Sequence, residues 1–477
     1  MKIGIARFIY EVEFELDLNF YFQTSHIYTI SRDQYLKNYP TPTLVTGDNI
    51  ESDNRINIYC YLIIDSTYNI EEYDSITEGS AKSRPQLLVI QGILAFFTNE
   101  VFLASYCINI INRITNQHIV EDMTQVTLIV NKQNLQNDLT TLLTTIKNSD
   151  ENKKVLIYTL LERFRKALHF EKLSEENFAY IDESVLAYIH ILEVLADEFK
   201  HNLEINLKEE KDRLITEIIS EAKNCNNSIP TKKLKSLLNI LNTSQISLKS
   251  KITQMLKEFS LDNEKSLSIV SRFIEHRNSI AHGRKNLYQD IVVFPLKPFF
   301  SFIQDIYENP IAIKLLACAS FSNYTNLKIW QNEWKEYLLD YEFPTLSMVK
   351  IFIKNNTHKN ISNKEFLKGK IDSITPIVLT YYYIKGKIKF SQLELVLSEV
   401  VKTSRKTENI CYSLFDSCVI LSDSKDKELA QKAQNLIKKA YENKTFPHSN
   451  IRDIIKDLQY NNISIEWFEN WLRNGKK

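Results

Sequence analysis

The chain has 477 residues, 44% of them apolar and 25% charged, and its 59 Lys and Arg balance 59 Asp and Glu to a formal charge of zero. That composition excludes global disorder and a basic coat that binds nucleic acid without regard to sequence, so any phosphate binding has to come from a local patch. Six scattered cysteines with no CxxC pair argue against a zinc site or a disulfide framework, and for a reducing compartment.

A chain of this length is expected to form two or three domains. Its first twenty residues, MKIGIARFIYEVEFELDLNF, carry acidic residues through the apolar run, which argues against a secretory signal. No 18-residue uncharged apolar run follows. The expectation is therefore a cytoplasmic protein with no membrane partner.

Val12, Phe14, Leu16, Leu18, Phe20 and Phe22 alternate with Glu11, Glu13, Glu15, Asp17 and Asn19, the period of two of a half-buried strand. INIYCYLII (56–64) predicts a second, more buried strand, and NYPTPTLVTGDN (38–49) a loop or an edge between them. RPQLLVIQGILAFF (84–97) fits a strand or a helix equally well, because periodicity does not separate them.

Helical spacing dominates beyond about residue 100, with the polar run KNSDENKK (147–154) as a boundary. Helices are expected over 155–170 and over 182–200, the latter with Leu186, Ile189, Leu192, Leu195, Ala196 and Phe199 in helical register and Asp182 as its cap. Shorter helices follow near 206–224, 231–242 and 249–260, then 266–283, and the chain stays helical beyond Pro295, as in KELAQKAQNLIKKAY (427–441). The predicted class is α+β: a β-containing N-terminal region over 1–150, a helical bundle over 151–297 and a helical C-terminal region over 298–477. Two KGK sites, 368–370 and 385–387, lack the other glycines and the Ser or Thr of a phosphate loop, so an NTPase is not expected.

The stretch RFIEHRNSIAHGRKN (272–286) poses the chemical question. At about 100° per residue, Leu267, Val270, Phe273, Ile274 and Ala281 share one sector, and Arg277 falls near its middle. Asn278 and His282 lie on one shoulder and Arg272 and His276 on the far side; Gly283 stands where a helix C′ residue would be. An isolated buried guanidinium costs several kcal/mol, on the order of 3–5, so a carboxylate, a subunit interface or a phosphate has to meet Arg277. His282 at a helix C-terminus is also accounted for by the helix dipole alone. A fixed cation beside a titratable imidazole is nonetheless enough to cleave RNA, because the 2′-hydroxyl is itself the nucleophile.

Arg277-Asn278-Ser279-Ile280-Ala281-His282 resembles the R-(polar)-x(3–5)-H signature of the HEPN superfamily, in the form seen in its ApeA-like and related branches. The surrounding helices, about 155–295, suit that family's bundle, and AYIHILEVLADEF (187–199) is similar to its first long helix. The resemblance implies a metal-independent endoribonuclease that needs no cofactor and dimerises through the bundle, so that two motifs share one cleft. On this sequence it implies that His282 moves the proton of the 2′-hydroxyl or of the leaving oxygen, that Arg277 stabilises the phosphorane, and that Asn278 orients the pair. Arg284 and Lys285, just past the motif, would then contact substrate phosphates. An RNA substrate, a toxin role in antiphage abortive infection and a phage-derived trigger follow from the habit of such domains when fused to other regions. The alternative is a noncatalytic HEPN scaffold that binds nucleotides, RNA or partners.

Overall fold

The computed structural model describes residues 2–39, 58–72, 75–176, 180–224, 247–281, 310–340, 343–404, 408–443, 455, 458–459 and 461–474. The architecture is α+β, an N-terminal antiparallel sheet followed by a mainly helical body, as the sequence predicts. The chain separates into two compact units, one of residues 1–262 with 313–335, the other of 263–312 with 336–477.

In the first unit, seven strands form one sheet: β1 (Ile3–Val12), β2 (Leu16–Phe22), β3 (Ser25–Ser31), β4 (Cys60–Asn69), β5 (Asn109–Thr115), β6 (Thr127–Val130) and β7 (Gln133–Asn134), in the order β5-β1-β4-β3-β2-β6-β7. The alternation from Val12 to Phe22 is not one strand. β1 ends at Val12, the chain bends, and β2 resumes at Leu16, four residues on and therefore still in phase. The apolar set of β2 is buried as its parity requires, with Leu16, Leu18, Phe20 and Phe22 all inside. The strand expected over 56–64 is β4, shifted towards its C-terminal end, and residues 40–57 lie outside the described residues. On the strand positions of the opposite parity, Arg7 and Asp65 are cross-strand partners joined by two hydrogen bonds of 2.7 and 2.6 Å, and Arg7 also reaches the hydroxyls of Tyr28 and Tyr39. That satisfies a partly buried cation and a buried carboxylate together.

The ambiguous segment after β4 is helical. α1 (Arg32–Asn38) and α2 (Ile76–Lys82) are short, and α3 (Arg84–Thr98) runs fifteen residues with a proline in its first turn. Gln91 of α3 donates to the Tyr10 hydroxyl at 3.1 Å, and Gln86 to the Phe22 carbonyl at 2.8 Å, which docks the helix on the sheet. Next come α4 (Gln136–Asn148), α5 (Glu151–Glu176), α6 (Ile181–Asp197), α7 (Lys200–Asn224) and α8 (Leu248–Glu258). Asp182 does not cap α6: Tyr180 stands at the cap and Asp182 in the first turn, where its charge still suits the helix dipole. The helix expected near 231–242 lies outside the described residues.

Phe96 ties these helices together. Its ring meets Phe97, Phe164, Phe321 and Trp330, and its carbonyl accepts the Trp330 indole N–H at 3.1 Å. α8 closes on α6 through Lys251 and Asp197, 2.6 Å apart, and through Phe199 edge-on to Phe259.

The second unit contains α9 (Glu264–Ala281) and a helical array. α10 (Pro310–Tyr324) and α11 (Gln331–Asp340) begin in one unit and end in the other; α12 (Leu346–Lys354), α13 (Asn363–Leu367), α14 (Pro376–Ile384), α15 (Phe390–Thr403), α16 (Glu408–Leu421), α17 (Lys427–Glu442) and α18 (Glu466–Asn474) follow. Its core includes Phe352, Leu393, Leu397, Phe415, Ile437 and Phe468. The glycines of the two KGK sites end α13 and α14. Gly369 and Gly386 adopt φ of 64° and 65°, and Lys370 and Lys387 donate back to the Glu365 and Tyr382 carbonyls at 3.0 and 2.8 Å. Both are left-handed helix stops, a reason for these glycines that needs no phosphate.

Candidate active-site helix

α9 carries the start of the predicted motif. Asn263 precedes it and accepts the Ser266 N–H on its side-chain oxygen at 3.0 Å, a helix cap. The helix buries Ser266, Ile269, Val270 and Phe273. Arg277 is four residues past Phe273 and continues that stripe into the last turn, where it is half-buried. Its Nη1 donates to Asn278 Oδ1 at 3.3 Å, while Asn278 itself is exposed. Adjacent helical residues point about 100° apart and seldom face each other, so this bond needs the long arginine to lean across the helix surface.

Arg277 and Asn278 are thus neighbours with a side-chain hydrogen bond between them. His282, Arg284 and Lys285 lie outside the described residues. The arrangement offers a planar guanidinium with one nitrogen held by the Asn278 side-chain oxygen.

Arg272 differs from the sequence expectation. The wheel sets it on the far side of the helix, whereas it is buried, 8% exposed, with its guanidinium carbon 3.4 Å from the centroid of the Phe343 ring. Phe343 packs edge-on against Tyr381, 5.5 Å away. A ring face stabilises a stacked, buried guanidinium. The partner is 71 positions downstream, so helical spacing carries no trace of it.

Two further bonds involve the start of α9. Thr345 Oγ1 donates to Glu264 Oε1 at 2.6 Å, and Lys265 Nζ donates to the Leu338 carbonyl, also at 2.6 Å. Hydrogen bonds from Ser347 and then Thr345 hold the Glu264 carboxyl below the usual carboxylate range. Among the described residues no three His, Cys, Asp or Glu side chains gather as a metal site, and no helix is long and apolar enough to cross a membrane.

Residues 186–294 match the family model of the Apea-like HEPN domain. The match starts within α6 and continues through α7, α8 and α9 past the motif. No curated protein and no solved structure matches the chain. Residues 186–294 thus carry an Apea-like HEPN domain, which supports placing this segment in the HEPN superfamily.

Proposed function

We propose that this protein is a metal-independent endoribonuclease whose active site is built on Arg277, Asn278 and His282. In this reading the substrate's 2′-oxygen attacks the adjacent phosphorus and the bond to the 5′-oxygen breaks, leaving a 2′,3′-cyclic phosphate and a free 5′-hydroxyl. His282 accepts the 2′-hydroxyl proton or supplies one to the leaving oxygen. Arg277 stabilises the doubly negative phosphorane and Asn278 steers the guanidinium. Arg284 and Lys285 hold flanking phosphates.

The observation that carries the reading is the position of Arg277. A permanent cation in register with the buried stripe of α9, engaged by a neutral amide, lies inside the segment that matches the HEPN family. HEPN domains commonly bind RNA and dimerise, and the family supports a nuclease or defence role in general. We extend this to a cytoplasmic homodimer formed through the bundle, in which two motifs share a cleft, and to a toxin of antiphage abortive infection released by a phage-derived trigger. Region 1–150 would sense that trigger, 151–297 would cut, and 298–477 would contribute RNA or dimer contacts.

The test is incubation of the full chain with total RNA in EDTA, with Arg277→Ala and His282→Ala in parallel and the cut ends mapped. Cyclic-phosphate ends that vanish in both variants support the reading. Cleavage that requires a divalent metal, or that survives both substitutions, overturns it.

A further inference from the structure

We propose that Arg272 is a positioning residue for Arg277, acting through Phe343, and that Leu338, Phe343 and Thr345 form the clamp that sets the orientation of the motif helix. The kinetic part of this proposal rests on the nuclease reading; the structural part does not.

Leu338, Phe343 and Thr345 each contact α9. Leu338 accepts from Lys265, Thr345 donates to Glu264, and Phe343 offers its ring to Arg272. The clamp is itself fixed. Thr345 caps α12 by accepting the Met348 N–H, Tyr382 donates to the Pro344 carbonyl at 2.8 Å, and Tyr381 packs edge-on to Phe343. Lys385 Nζ lies 5.8 Å from the centroid of the Tyr381 ring, which extends the row of cations and rings from α9 to the end of α14.

These contacts constrain different motions. The bonds at Glu264 and Lys265 anchor the first turn of α9, and Arg272 lies about two turns further along the helix. Arg272 is the third point, about 7.5 Å along the axis from Arg277 at about 1.5 Å per residue. A helix with its side chains is about 10–12 Å across, so a roll of about 10° carries a side-chain tip by about 1 Å. Misplacement of that size costs on the order of 100-fold in rate. A leucine in place of Arg272 would fill the space. Only a planar cation stacked on a ring resists rotation about the helix axis as well as separation, and burial strengthens that attraction.

The experiment compares the full chain with Arg272→Lys, Phe343→Leu and Phe343→Tyr, the last of which keeps the ring. Amide hydrogen exchange over 274–281 and thermal unfolding are measured on all four, and RNA cleavage on those that cut. Arg272→Lys and Phe343→Leu should speed exchange over 274–281 by about tenfold while the melting temperature stays nearly constant, because the change is local and not global. Phe343→Tyr should exchange like the parent chain. In cleavage, the two disruptive variants should lose about 10- to 100-fold in kcat at unchanged KM, with Phe343→Tyr restored. Unchanged exchange in Arg272→Lys and Phe343→Leu overturns the proposal. So does faster exchange accompanied by an unaltered kcat per folded molecule. If the parent chain cuts no RNA, the nuclease reading fails while the exchange data still decide whether Arg272 positions the helix.

Discussion

Lys314 Nζ donates to Glu171 Oε1 at 2.6 Å, joining α10 to α5 across 143 residues of sequence. The lysine side chain is 6% exposed and the glutamate 29%. Tyr188 of α6 donates to the other carboxylate oxygen, and burial, aided by the Glu171 charge, pushes its phenol well above the usual range. Lys314→Met should therefore leave the carboxylate with Tyr188 but without its lysine partner. Breaking a buried pair from one side costs about 3–5 kcal/mol, and the water access of Glu171 reduces that to about 2–3 kcal/mol. Urea unfolding measures it. Adding Glu171→Gln to Lys314→Met should recover part of the loss, and a double variant whose loss equals the sum of the two single losses would show that the pair carries no coupling.

Arg277 offers a sharper comparison. Under the proposed mechanism Arg277→Ala should lower kcat/KM by about 10²–10³, as loss of a transition-state charge stabiliser does. Arg277→Lys should be nearly as poor, because an ammonium cannot hold two phosphate oxygens in one plane. Asn278→Ala removes a bond of 3.3 Å that orients the guanidinium without touching the reacting atoms. Its cost should be about 1 kcal/mol, or roughly fivefold. Cleavage assays on the three variants should give that ranking. Equal losses for Asn278→Ala and Arg277→Ala would make the amide a direct participant.

The sequence showed some of this fold and hid the rest for identifiable reasons. Leu16, Leu18, Phe20 and Phe22 announce β2 because a sheet with one covered face buries every second residue. The bend between Val12 and Leu16 leaves the phase intact, so alternation alone cannot find it. α3 was undecided because Ile90 to Thr98 are all buried, which erases the amphipathic signal, and length and Pro85 have to separate helix from strand. Arg277 was legible as the cation on an apolar stripe. Arg272 was not, because what covers it is Phe343, and a wheel drawn on one helix contains nothing of a ring contributed by another segment.

Acid should weaken the fold in a defined window. Burial lowers the pKa of His26, His169 and His358 below the ordinary 6.5. His26 is stacked between Tyr21 and Tyr28, with Asp65 raising and Arg7 lowering its pKa further; Arg165 lowers that of His169; Lys359 lowers and Glu399 raises that of His358. Each ring is thus harder to protonate in the folded chain than in the unfolded one. Their neutral forms leave stability intact above the unfolded value, and stability is lost as pH falls below about 6.5, where the unfolded chain takes up protons first. Urea midpoints at pH 7.5, 6.5 and 5.5 should fall in that order. A midpoint that rises between pH 6.5 and 5.5 would mean that at least one of these imidazoles gains a charged partner on folding.

Gly92 sets the separation of α3 and α5. A β-carbon there would stand 2.7 Å from the Leu161 carbonyl oxygen, 2.8 Å from its carbon and 2.9 Å from its Cβ. Two of those atoms are backbone, so no side-chain rotation relieves the clash and the helices have to move apart. In an exposed helix Gly→Ala gains about 1 kcal/mol, but forced separation of a packed helix pair costs about 1–3 kcal/mol. The steric cost wins because Phe96, one turn further along α3, packs its ring on Phe164 of α5 and would be pulled from that contact as the helices part. Gly92→Ala should therefore destabilise the first unit by about 1–2 kcal/mol, seen as a lower urea midpoint. Gly92→Ser should be no better, since a hydroxyl adds bulk at the same point. An alanine variant more stable than the parent would mean that α3 and α5 tolerate a wider spacing without loss of the Phe96 contacts.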